Sequence, residues 1–121
     1  MGPLRCLIVD DSTRFGEEAR RLLEHEGVSV VGVAGSGDEA VRLAAALRPG
    51  LALVDISLDN ESGFDVARRL VDGVSADPLA IIFISTHDER EFRSRIEASP
   101  ALGFIAKTEL SAERIRGLLG D

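Results

Sequence analysis

The sequence predicts an α/β fold, a doubly wound sandwich on a five-stranded parallel sheet. Three observations predict it. Apolar runs alternate five times with amphipathic segments along 121 residues. The runs are nearly continuous in apolar residues, the mark of strands buried on both faces. Each intervening segment is long enough for a helical crossover between parallel strands, and right-handed crossovers put helices on both faces.

The elements follow in order. "LRCLIV" is a strand, and in "TRFGEEARRLLEHEG" Phe15, Ala19, Leu22 and Leu23 recur at helical spacing up to a stop at Gly27. "VSVVGVA" is the second strand. "SGDEAVRLAAALRPG" opens on a capping box, Ser36 with Glu39, and closes on Pro49 and Gly50. "LALVDISL" is the third strand and "SGFDVARRLVDG" the third helix. "LAIIFIS" is the fourth strand, and "DEREFRSRIEAS" is predicted as one helix, with Asp88 and Glu91 at capping-box spacing. "ALGFIAK" is a short fifth strand, and "SAERIRGLLG" a last helix capped by Ser111. A single domain over residues 1–121 is expected, with no linker or low-complexity stretch. Five such repeats suggest the flavodoxin-like strand order 2-1-3-4-5, whose ligands bind at the carboxyl ends of the strands beside the first and third.

Bulk composition excludes several functions. Hydrophobic residues make up 45% and charged residues 29%, ordinary for a soluble globular protein. No apolar run approaches a membrane span, and "MGPLR" leads straight into a strand, so no signal peptide and a cytoplasmic location are expected. The net charge of −7 argues against direct nucleic-acid binding and against anionic membranes. The single cysteine, Cys6, excludes an internal disulfide and reads as a core residue. His25 suits the last turn of the first helix. "GVAGSG" lacks both the dinucleotide glycine spacing and a following Gly-Lys-Ser/Thr, so its glycines read as a turn.

The strand ends carry the chemistry. The first strand ends in Asp10 and Asp11, the third runs into Asp55, the fourth ends at Ser85 and the fifth at Lys107. Adjacent carboxylates repel, and a divalent cation beside them makes the pair tolerable. Three carboxylates without cysteine or clustered histidine make a hard oxygen site, which points to Mg²⁺. Lys107 and Ser85 offer a charge and a donor to phosphate oxygens, and a carboxylate can be the nucleophile of an aspartyl phosphate.

With these residues in place, the whole chain resembles the receiver domain of two-component response regulators. "VDD" is similar to the family's acidic pair, and "LVDISL" to its phosphoacceptor segment with Asp55 as acceptor. Gly63 stands eight positions on, "FIST" carries the switch hydroxyl, and "GFIAK" carries the switch aromatic Phe104 and the family lysine Lys107. Spacings of 30 from Asp55 to Ser85 and 22 from Ser85 to Lys107 fit as well. For the hydroxyl, Ser85 is preferred on spacing to Thr86. The resemblance implies that Asp11 and Asp55 bind Mg²⁺ directly, with the Ser57 carbonyl as a further ligand and Asp10 acting through water. It also implies a sensor histidine kinase as phosphodonor and a tuning influence of Ser57 and His87 on phosphoryl lifetime. Where the family often has proline, this chain has Asp59, and Thr108 after Lys107, so a trans bond is expected there. "KTEL" fits receivers joined to helix-turn-helix output domains.

Two alternatives stand beside this reading. A degenerate receiver acting only as an interaction module usually lacks one of Asp10, Asp11, Asp55, Ser85 and Lys107, and all five are present. A Mg²⁺-dependent phosphohydrolase usually has a second aspartate two residues after its nucleophile, where Ser57 stands. Mixed charge at Glu91, Arg93, Arg95, Glu97, Glu113, Arg114 and Arg116 suits a homodimer through the fourth helix, fifth strand and fifth helix, tightened by phosphorylation.

Overall fold

Leu51, Ala52, Leu53 and Val54 are all fully buried, as a strand covered on both faces requires. They belong to β3 (Leu51–Asp55), the centre of a five-stranded sheet completed by β1 (Arg5–Val9), β2 (Ser29–Ala34), β4 (Ala80–Ser85) and β5 (Gly103–Ala106). The structure is a computed structural model that describes residues 3–73 and 79–120. Neighbouring strands are parallel and run in the order β2-β1-β3-β4-β5, as expected.

Successive side chains of each strand point to opposite faces, so one apolar run fills two cores. Leu7, Val9, Ala52, Val54, Ile81 and Phe83 pack under α2 (Gly37–Leu47), α3 (Gly63–Gly73) and α4 (Arg93–Glu97). Cys6, Ile8, Leu51, Leu53, Ile82 and Ile84 pack under α1 (Thr13–His25) and α5 (Ala112–Leu119). Cys6 is in the core as expected, and burial pushes its thiol pKa up to about 12. No helix among the described residues is long and apolar enough to cross a membrane.

Several expected caps form. Ser36 and Ser111 accept the N–H groups of Glu39 and Arg114 at 3.2 and 3.1 Å, and Gly27, at φ 92°, ends α1. The reciprocal half of the box at α2 is displaced by one residue, since Glu39 accepts from Gly35 rather than Ser36. Of the apolar residues at helical spacing, Leu22 is 40% exposed, and Gly16, Ala19 and Leu23 are the buried residues of α1. Adjacent leucines lie 100° apart on a helix, and only one faces the sheet.

The fourth helix is the main correction. The expected single helix over 88–99 is a 3₁₀ turn, Glu89–Glu91, followed by the five residues of α4. Asp88 bonds the N–H of Arg90, two residues on, instead of capping at Glu91. Phe92 then leaves helical geometry at φ −121°, and its ring lies 6.3 Å from Phe64 and 6.1 Å from His87. That tertiary packing outweighs the local helical pattern.

A second feature has no counterpart in the sequence reading. After β3 the chain makes a two-residue antiparallel ladder, Ser57–Leu58 with Glu61–Ser62, turning through Asn60 at φ 63°. The ladder delivers the chain to Gly63, whose N–H donates to Ile56 O at 2.7 Å. A Cβ on Gly63 would collide with the Asp55 carbonyl, so only glycine lets α3 start flush against the end of β3. Gly63→Ala should lower stability by about 3 kcal/mol, the upper part of the overpacking range, because backbone must move. Urea unfolding checks this, and a loss below about 0.5 kcal/mol would show that the approach is slack.

Candidate functional site

The aspartates that adjoin in sequence part company in space. The Asp10 N–H still donates to Ala34 O at 2.9 Å, continuing the sheet. Its carboxylate turns inward, 2% of the residue exposed, and Oδ1 accepts the Ser12 N–H at 2.8 Å. Ser12 in turn caps α1 by accepting the Phe15 N–H. Asp11, one residue along the alternation, is exposed. Asp55, at the end of β3, is 7% exposed, and its Oδ1 accepts the Ser57 N–H at 3.1 Å. One oxygen from each of Asp10, Asp11 and Asp55 lies within 4.8 Å of the others.

Lys107 follows directly on β5, in a turn reached by a trans bond to Thr108, as expected. Its Nζ lies 2.6 Å from Asp10 Oδ2 and 3.2 Å from Asp55 Oδ2, with its side chain 12% exposed. Burial alone would lower its pKa, but the two carboxylates outweigh that and raise it, so it stays charged. Burial, helped by the nearby Asp10 charge, pushes the Asp55 pKa up, against the pull of Lys107 and the Ser57 N–H.

Three carboxylates against one ammonium leave an excess of negative charge. Asp10 Oδ2 is buried, and the Lys107 ammonium at 2.6 Å is its partner. A set of three carboxylates sharing one ammonium, all oxygen donors, fits a small hard cation, and Mg²⁺ suits it. Asp10, Asp11 and Asp55 would hold it, and Ser57 is exposed beside them at the start of the hairpin.

Ser85 is 1% exposed at the end of β4, and Thr86 is exposed. Ser85 Oγ accepts the His87 N–H at 2.9 Å and lies 3.4 Å from His87 Nδ1, so its bonds stay within its own turn. His87 itself is exposed and sets its ring edge-on to Phe92. Phe104, half-buried on β5 opposite Phe83, lines a cleft of about 540 Å³ with Thr86, His87, Glu109 and Arg114. The strand ends thus bring together Asp10, Asp11, Asp55 and Lys107, and place Ser85, His87 and Phe104 along the neighbouring rim. Missing from the sequence reading were the orienting bond from Ser12 and the ring of Phe15, which lies 4.4 Å from Lys107 Nζ. Ser12 was legible as the polar residue before a helix. Phe15 was legible only as an apolar residue at helical spacing.

The sequence model of the response regulator receiver domain matches residues 6–119. The chain belongs to that family. It is 34% identical over 113 residues to protein-glutamate methylesterase/protein-glutamine glutaminase 1 of Syntrophus aciditrophicus (strain SB), across 90% of this chain and 31% of that protein. It is 28% identical to response regulator GacA of Pseudomonas viridiflava, across 95% and 53%. The signal receiver domain of the putative response regulator NarL from Mycobacterium tuberculosis superposes with a TM-score of 0.83 at 28% identity, covering both chains completely. The chain therefore spans between about a third and about half of the curated relatives it matches. Receiver domains are signalling modules, and the family's Mg²⁺ and phosphoaspartate chemistry agrees with the acidic cluster.

The raised Asp55 pKa sets a pH dependence. The folded state holds the Asp55 proton more tightly than the unfolded chain, so this carboxylate costs stability once it is ionised. Stability from this group is fully present below the ordinary carboxylate range and is lost as pH rises through the folded pKa. In chelator, Asp55→Asn should melt higher than the parent at pH 7, and the gap should close as pH falls towards about 4. Melting curves across that range check it.

Proposed function

We propose that this chain is a phosphoacceptor receiver, a single domain over residues 1–121, in which Asp55 takes a phosphoryl group from the phosphohistidine of a sensor histidine kinase. The observation that carries the reading is the Lys107 ammonium against both Asp10 and Asp55, inside a cluster of three carboxylates. An Asp55 oxygen attacks phosphorus and the P–N bond breaks, the bonding electron pair staying on the imidazole nitrogen; the ring leaves neutral because its other nitrogen already carries a proton taken from solvent. Lys107 moves its attraction from Asp55 Oδ2 to a phosphoryl oxygen, offsetting the charge that Asp55 hands on. The Ser57 N–H fixes the carboxylate plane. Mg²⁺, when held by Asp10, Asp11 and Asp55, would supply further neutralisation of the negative charge at the site.

Ser85 is the switch hydroxyl. To donate to a phosphoryl oxygen it rotates out of its contact with His87, and Phe104 turns inward behind it. Ser57 and His87 flank the path of attacking water and tune phosphoryl lifetime. Output leaves through the rim of α4, β5 and α5. Of the charges counted there, Arg114 is already paired, with Glu109 at 2.9 Å, and Asp88 pairs with Arg90 at 3.0 Å just before α4. Exposed pairs of this kind are worth little and exchange readily for contacts with a second copy. The domain acts as a cytoplasmic signalling module without direct nucleic-acid contact, and the output belongs to whatever it is joined to or meets.

Acetyl phosphate with Mg²⁺ should add one phosphoryl group to the chain by intact mass, and none to Asp55→Asn. Asp11→Ala should lose both the label and the rise in melting temperature that Mg²⁺ gives the parent. Equal labelling of Asp55→Asn would move the acceptor elsewhere. Separately, beryllofluoride should shift the chain towards a dimer in sedimentation, a shift that weakens with added salt. Unchanged sedimentation would take the output away from this face.

A further inference from the structure

We propose that Phe15 is a positioning residue for Lys107, its ring face holding the ammonium against Asp10 and Asp55 and closing that side of the site to water. The proposal rests on Asp55 being the phosphoacceptor.

The ammonium sits 4.4 Å from the Phe15 ring centroid, within the range of a cation–π contact. The same nitrogen is 2.6 Å from Asp10 Oδ2 and 3.2 Å from Asp55 Oδ2, and the lysine side chain is 12% exposed. So the nitrogen has two carboxylates and an aromatic face around it. The ring is fixed independently of the lysine. Phe15 lies in the first turn of α1, its N–H donates to the capping Ser12 Oγ at 3.2 Å, and its ring packs beside the core that holds Ile8, Ala19 and Ile84. The Ser12 N–H also orients Asp10, so a single turn aims both the carboxylate and the ring at Lys107.

The chemistry explains why a ring stands there. A lysine stem is flexible, and the ammonium must exchange Asp55 Oδ2 for a phosphoryl oxygen as the reaction proceeds. A hydroxyl or amide partner would hold it at one angle. A π face attracts the cation over its whole area, so the ammonium keeps a partner as it moves. The ring carries no donor or acceptor and brings no water beside an acyl phosphate. Leucine matches much of the bulk but has no quadrupole to attract a cation.

Phe15→Leu and Phe15→Tyr separate attraction from packing. With acetyl phosphate and Mg²⁺, Phe15→Leu should be phosphorylated about fivefold more slowly and lose its phosphoryl group faster, while Phe15→Tyr stays within about twofold of the parent. Rates are compared at saturating Mg²⁺, because Lys107 shares Asp10 and Asp55 with the metal site. In nuclear magnetic resonance spectra the Lys107 ε-methylene protons should be shifted upfield by the ring in the parent and in Phe15→Tyr, but not in Phe15→Leu. If Phe15→Leu does not fold, Phe15→Met gives the same comparison. Equal rates for parent and Phe15→Leu, a Tyr variant as slow as the Leu variant, or unshifted Lys107 protons in the parent would each overturn the proposal. A parent that takes no phosphoryl group overturns the reading of Asp55 instead, and the proton shifts still decide whether the ring holds the lysine.

Discussion

The contact on which the rest depends is the ammonium of Lys107 against Asp10 and Asp55. A buried carboxylate without a counter-charge costs several kcal/mol, so neither aspartate could sit at the end of an all-apolar strand alone. The lysine comes from 52 residues beyond Asp55, and only the sheet brings it there. Parallel strands all end at one rim, so strands far apart in sequence add residues to a common crevice. β1, β3 and β5 supply the charged groups and β4 the hydroxyl. Strand order, register and site are one arrangement seen at three scales.

Supports outside the crevice hold that arrangement. On one side, Ser12 orients Asp10 while capping the helix that carries Phe15. On the other, the hairpin after β3 is fastened to the start of α2, where Glu61 Oε1 accepts the Gly37 N–H. Arg69 reaches across from α3 to Asp38 at 2.7 Å, though that pair is exposed and adds little by itself. Asp59 stands in the turn of this hairpin, so its charge sits on a tied loop rather than a loose one. Gly63 then admits α3 against the end of β3, and the loop beside Asp55 is held at both ends.

What the sequence made legible follows the range of the forces involved. The strands were legible because burial on both faces leaves almost no choice of residue. The site was legible because strand ends converge whatever the crossovers do in detail. The broken fourth helix was not. Asp88 and Glu91 have capping-box spacing, but the ring of Phe92 finds Phe64, 28 residues earlier, and no local pattern records that. Leu22 was not separated from Leu23 because helical spacing accepts either of two adjacent leucines until a sheet decides between them. The hairpin escaped because two residues per strand carry no periodicity. Phe15 was visible as an apolar residue but not as a partner of Lys107, since the lysine lies 92 positions away.

The residues proposed as the switch, Ser85 and Phe104, sit in a different energetic regime from the charged cluster. Lys107 is held by two ion pairs and a ring, so its position is strongly determined. Ser85 accepts one backbone N–H and touches one imidazole nitrogen, and no hydrogen bond links it to the carboxylates among the described residues. Rotating it exchanges one modest hydrogen bond for another, with a net difference of about 1 kcal/mol or slightly more when the acceptor is charged. Phe104 is half-buried, packed against the core on one side and open to a cleft on the other, so its ring has room to move. On the proposed reading, a firmly held charged floor beneath a loosely held rim would let a phosphoryl group bind in one place while the rim alone changes. With differences this small, both rim arrangements would stay populated in either state, and the signal would be a change in their ratio.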